Sequence, residues 1–179
     1  MGARFQGAMV ACALAFSASA PAKADSLTIT ATGTIVGGCG ITVASNFGPA
    51  TLSAGGNVTG TATVNCNAGF KINATSANGA IKTSTVAPAN FTNTVPYSLA
   101  MAVPLDDGGN VSATCSSAQL VAGQSGCALS PANSSGLSSG GKTANNKTAT
   151  LTATWSLPAQ RLIAGSYSDT ITVSIASVP

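Results

Sequence analysis

Residues 147–157 read KTATLTATWSL. Ala149, Leu151, Ala153, Trp155 and Leu157 fall on one side of an extended chain, with Thr148, Thr150, Thr152, Thr154 and Ser156 on the other. That period of two is expected of a strand with one face in a core. Pro158 ends it, since proline cannot donate to a ladder. Trp155 lies on the inward side and reads as a core ring rather than a sugar-stacking platform.

The same alternation recurs in both directions. Val58–Cys66 places Val58, Gly60, Ala62, Val64 and Cys66 on one side, and Phe70–Thr75 places Phe70, Ile72 and Ala74 inward. Ser76-Ala77-Asn78-Gly79 carries the Asn-Gly turn signal and predicts a hairpin there. Val95–Val103 alternates, and Pro96 predicts that its strand begins at Tyr97. Ile41–Val43 predicts a short strand leading to a turn at Asn46-Phe47-Gly48-Pro49 with a buried ring. Thr170–Ile175 turns Ile171, Val173 and Ile175 inward, and the Ser, Gly, Asn and Pro run from Ala128 to Lys147 predicts a long mobile loop. About seven strands between turn signals predict an all-β sandwich rather than a barrel. The abundance of Thr, Val, Gly and Asn agrees.

The opening alternation is residues 26–36. Leu27, Ile29, Ala31, Gly33 and Ile35 share one face, Thr28, Thr30, Thr32 and Thr34 the other, and Gly37-Gly38 follows as a break. Periodicity alone leaves two readings open, a first strand of the chain's own sheet or a strand lent to another molecule.

Before it, Arg4, an apolar run from Ala8 to Ala18 and the small residues Ala22-Lys23-Ala24 read as a secretory signal peptide over residues 1–24, with Ala20 as the alternative cleavage point. The run is too short to span a bilayer, so no membrane insertion is expected. Without Arg4 and Lys23, five basic residues face four acidic ones. Such near-neutrality offers no patch for nucleic acid or a membrane surface. Cys12 leaves with the signal, and Cys39, Cys66, Cys115 and Cys127 remain, an even set that predicts disulfides in an exported chain. Three pairings exist. Cys115 and Cys127 bracket a short stretch suited to a local clip, which leaves Cys39 with Cys66, a link worth on the order of 3 kcal/mol.

The sequence has no His and no Glu, which removes the usual general base and nucleophile activator. No G-x-S-x-G elbow is present. The Cys spacings contain no C-x-x-C, so zinc is not expected. Asp106-Asp107 reads as a solvated turn rather than a calcium site. Neither enzyme chemistry nor a cofactor or metal is expected.

Several segments together resemble one family, the spore coat protein U (SCPU) domain proteins, which are similar to pilin subunits of the archaic chaperone-usher pathway. They are Cys39 with Ile41 and Val43, Asn46-Phe47-Gly48, Thr61-Ala62-Thr63-Val64-Asn65-Cys66, and the ending Ala164-Gly165-Ser166-Tyr167-Ser168-Asp169-Thr170-Ile171-Thr172-Val173-Ser174-Ile175. The second cysteine pair, the loop from Ala128 and the last four residues depart from the family pattern. The resemblance implies a pilin-like domain over residues 39–179, an immunoglobulin-like sandwich missing one strand. It further implies a donor strand within residues 25–38, in which Leu27, Ile29, Ala31 and Ile35 fill a neighbour's pockets, Gly33 meets a narrow place and Gly37-Gly38 is the hinge. The partners it implies are neighbouring pilin subunits, a periplasmic chaperone and an outer-membrane usher. The location is then a cell-surface fimbria serving adhesion or biofilm formation. The competing expectation is a non-polymeric secreted coat or carbohydrate-binding module.

Overall fold

A computed structural model describes residues 35–178. The signal-peptide reading and Leu27, Ile29, Ala31 and Gly33 lie outside the described residues.

The described residues form twelve strands in order: β1 (Cys39–Ser45), β2 (Gly56–Cys66), β3 (Gly69–Ser76), β4 (Ile81–Lys82), β5 (Phe91–Thr92), β6 (Thr94–Val95), β7 (Tyr97–Pro104), β8 (Asn110–Ser116), β9 (Leu137–Ser138), β10 (Ala144–Trp155), β11 (Arg161–Leu162) and β12 (Ile171–Val178). A single 3-10 turn, Ser117–Leu120, follows β8. Five strands have only two residues, which leaves seven long ones; these include β8, which the sequence reading did not expect, and not residues 26–36, which it did. Five of them make an antiparallel sheet, β1-β2-β10-β7-β8, and β12 and β3 make a three-stranded one with the short β9, in the order β12-β3-β9. Two small ladders, β4-β6 and β5-β11, complete the set.

Alternation explains the core. Leu151 lies opposite Gly60 and Met101, Ala153 opposite Val58 and Leu99, and Trp155 opposite Gly56 and Tyr97. Gly56 lets the ring lie close, because a Cβ there would stand 3.1 Å from it, a tight contact. The indole Nε1–H donates to the Ala54 carbonyl at 3.0 Å, so the ring is a satisfied core residue, as its phase predicts. Phe70 and Ile72 of the three-stranded sheet join Leu99, Met101, Leu120 and Leu129 as fully buried side chains of one cluster. Each contributes about 1.5–3 kcal/mol relative to exposure.

Several expectations are corrected. The Asn78-Gly79 turn forms, with Gly79 at φ +69°, but it makes no hairpin. β3 pairs with β12 and β9, and the short strand after the turn pairs with β6. Leu157 lies beyond the end of β10 and is 53% exposed. The Phe47 ring is only half-buried. The run from Ala128 is a docked segment rather than a mobile loop, and β10 already begins at Ala144. Leu129 and Leu137 are buried, and the Ala74 N–H donates to the Leu129 carbonyl at 2.7 Å. Asn73 Nδ2 donates to the carbonyls of Ser130 and Asn133 at 2.7 and 3.0 Å.

The acidic turn is also more than solvated. Asp106 Oδ2 accepts from Thr143 Oγ1 at 2.7 Å and from the Asn145 N–H at 3.0 Å, while Lys147 stands 3.2 Å from its Oδ1. Lys142 lies 2.6 Å from Asp107. The Thr143 hydroxyl and the Asn145 amide hold the Asp106 carboxyl below the usual range, and Lys142 does the same for Asp107. The turn between β7 and β8 is thereby tied to the start of β10. Among the described residues no group of three His, Cys, Asp or Glu side chains is arranged to hold a metal.

Candidate functional site

The two sheets meet differently along their two seams. On one seam β8 lies beside β9, which belongs to the docked segment from Ser117 to Thr143. The Cys115–Cys127 disulfide fastens that segment to β8. The other seam has no such docked segment among the described residues. There β1 is the last strand of one sheet and β12 the last of the other, and no ladder joins them.

Burial along this second seam breaks the pattern of the rest of the molecule. Inward residues of β3, β7 and the centre of β10 are buried, yet Ile171, Val173 and Ile175 of β12 and Ile41 of β1 are only half-buried, and Val43 is 70% exposed. Their phase points them at the core, and no other described strand covers them. Ile41, Val43, Phe47, Leu151, Ile171 and Val173 line a cavity of about 370 Å³. It shares Phe47, Asp169 and Ile171 with a second cavity of about 280 Å³ that reaches Trp155. The result is an apolar groove flanked by two strand edges that pair with no other strand among the described residues. Gly60 shapes its floor. A Cβ there would stand 3.0 Å from the Ser45 carbonyl, where the register between β1 and β2 shifts.

A polar cluster fixes one end of the groove. Asp169 Oδ2 accepts from Ser76 Oγ at 2.5 Å and from the Tyr97 hydroxyl at 2.7 Å. Its Oδ1 accepts from the N–H groups of Asn78 and Thr170 at 3.0 and 2.8 Å. One carboxylate therefore holds the first turn of β12 against the end of β3 and the start of β7. Burial first, and then the Asp169 carboxylate, push the Tyr97 hydroxyl well above its ordinary pKa. A raised phenol favours the fold below the unfolded value of about 10, and that stability is lost as pH rises further. Tyr97→Phe is therefore expected to flatten the alkaline limb of a stability–pH curve above about pH 10, as urea melts across that range would read.

The other end holds the point where residues 35–38 leave the body. Asn67 grips them: its Oδ1 accepts the Gly38 N–H at 2.6 Å, its own N–H donates to the Gly38 carbonyl at 3.2 Å, and its Nδ2 donates to the Val36 carbonyl at 3.3 Å. These bonds hold Gly38 and Val36 against Asn67, while Gly37 makes none of them. The Cys39–Cys66 disulfide lies directly behind it, joining the first residue of β1 to the last of β2 across one register pair. Of the three pairings, the structure holds Cys39–Cys66 and Cys115–Cys127. Ile35, the one donor-face residue among those described, is 88% exposed and lies outside the core.

Among the described residues no helix is long and apolar enough to cross a membrane. The chain matches no family model, no curated protein and no solved structure.

Proposed function

We propose that this chain is a structural subunit of an extracellular fibre, a fimbria assembled by strand donation, and that it works without catalysis. In this reading the two sheets are an immunoglobulin-like sandwich lacking the strand between β1 and β12. Residues 25–36 of one copy fill that place in the next. A periplasmic chaperone would occupy the groove before assembly and an outer-membrane usher would direct the exchange.

The observation that carries this reading is the half-buried inward face of β12, bordered by two strand edges that pair with no other described strand. An inserted strand pairs with the backbone groups of those edges and covers Ile171, Val173 and Ile175. Burying each of Leu27, Ile29 and Ile35 adds about 1.5–3 kcal/mol. An open apolar edge is an aggregation hazard in a lone molecule, and capping it in series converts the hazard into a polymer.

A chain of residues 25–179 is expected to run as a detergent-resistant ladder on an unboiled gel and to collapse to one band on boiling. Deleting residues 25–36 is expected to remove the ladder. Single bands for both would instead favour a non-polymeric coat module.

A further inference from the structure

Large apolar side chains left exposed are not scattered over the described residues. Val43 lies in the groove, and the others collect at the two ends of the strands. Val36 and Val178 are at the end marked by the Cys39–Cys66 and Gly69–Val178 register pairs, 82% and 40% exposed. Val86 and Leu157, in loops, and Phe91, the first residue of β5, lie toward the opposite end, marked by the register pairs of Trp155 with Gly56 and Tyr97. Between the ends, the outward face of the five-stranded sheet is Thr59, Thr61, Thr150, Thr152, Ser98 and Ser112 with their small neighbours, and it has no exposed large hydrophobe.

We propose that the two ends bind each other between successive copies of this chain, Val36 and Val178 of one copy packing on Phe91 and Leu157 of the next, with Val86 at the rim. The proposal rests on the strand-donation reading and adds a second, separate contact to it. β12 runs from Ile171 at the Trp155 end to Val178 at the Cys39 end. An inserted strand antiparallel to β12, the more stable ladder, therefore finishes at the Trp155 end of its acceptor. Only Val36, Gly37 and Gly38 separate Ile35 from Cys39. Four extended steps span about 13 Å at most, so the donor's own Cys39 end is drawn against the acceptor's Trp155 end. The Asn67 grip on Val36 and Gly38 holds the exit in place and presents Val36 at that junction. A patch this small lies below the size of a free-standing interface. It depends on the tether, which makes the second contact effectively intramolecular.

The test uses residues 25–179 carrying Val36→Cys with Leu157→Cys, assembled and then oxidised. The expected result is a ladder that survives boiling and collapses with reductant, whereas Val36→Cys with Thr150→Cys, on the outward face, gives none. As a second measurement, Phe91→Asp with Leu157→Asp is expected to leave the unboiled ladder in place while the fibres bend more sharply in electron micrographs. No cross-link, or unchanged stiffness, in a chain that still forms the unboiled ladder would overturn the end contact and leave strand donation standing. Absence of the ladder in the unsubstituted chain would overturn both.

Discussion

Val173→Asp is expected to leave the body folded and to abolish its uptake of a strand. Val173 lines the groove and is half-buried. Its carboxylate would there remain in reach of water, at a cost of about 1 kcal/mol or less. Once a strand covers it, the charge is buried with no cation among the groove-lining residues. An unpaired buried charge costs about 3 kcal/mol or more. At about 1.4 kcal/mol per tenfold, that is a loss near a hundredfold or greater in strand affinity. Thr172→Asp, one residue away on the exposed side, is the control and should bind normally. Titration of either variant, lacking residues 25–36, with a fluorescent peptide of residues 25–36 reads the difference directly. Equal affinities would mean that the β12 face is not where a strand lies.

The second large effect is on stability. Replacing Cys39 and Cys66 together by alanine opens a link of 27 residues' separation. By the loop-closure relation this costs about 3.5 kcal/mol, against roughly 3 kcal/mol for the shorter Cys115–Cys127 link. Cys66 is fully buried, so its truncation adds a small cavity cost. The consequence also differs in kind. Losing Cys115–Cys127 frees the segment docked at the closed seam, whereas losing Cys39–Cys66 frees β1, the wall of the groove. Urea melts should show the larger drop for the Cys39–Cys66 variant, and strand uptake should weaken in that variant more than in the other.

The strands that build the core were legible from their period of two: Val58–Cys66 and Ala149–Trp155 set apolar or small inward residues mainly against Thr, Phe70–Thr75 sets Phe70, Ile72 and Ala74 against Lys71, Asn73 and Thr75, and Tyr97–Val103 sets large inward residues against Ser98, Ala100 and Ala102. β8 was missed. Its inward residues are Val111, Ala113 and Cys115 among Ser and Thr, a contrast too weak to separate from the turn before it. The hairpin forecast at Asn78-Gly79 failed because local turn chemistry does not choose the strand's partner. That choice is made by Asp169, 91 residues later, which accepts the Asn78 N–H. The Ala128–Lys147 run has the composition of a free loop, and two buried leucines with the Asn73 side chain hold it down, all through distant contacts.

The walls of the candidate site were visible in the same way, through Ile41, Val43, Ile171, Val173 and Ile175. Their openness was not. A period of two says which way a side chain points, and only the folded arrangement says whether anything stands opposite. The contact of Asn67 with Gly38 was not visible in the sequence either, since it joins residues 29 positions apart.

Strand donation is tested most directly by adding the synthetic peptide of residues 25–36 to the chain lacking that segment and following its thermal unfolding. Filling the groove should give saturable, one-to-one binding and a melting temperature that climbs with peptide concentration. A scrambled peptide should do neither. A melting temperature indifferent to the native peptide at every concentration would contradict the account, and residues 25–36 would then have no place in this groove.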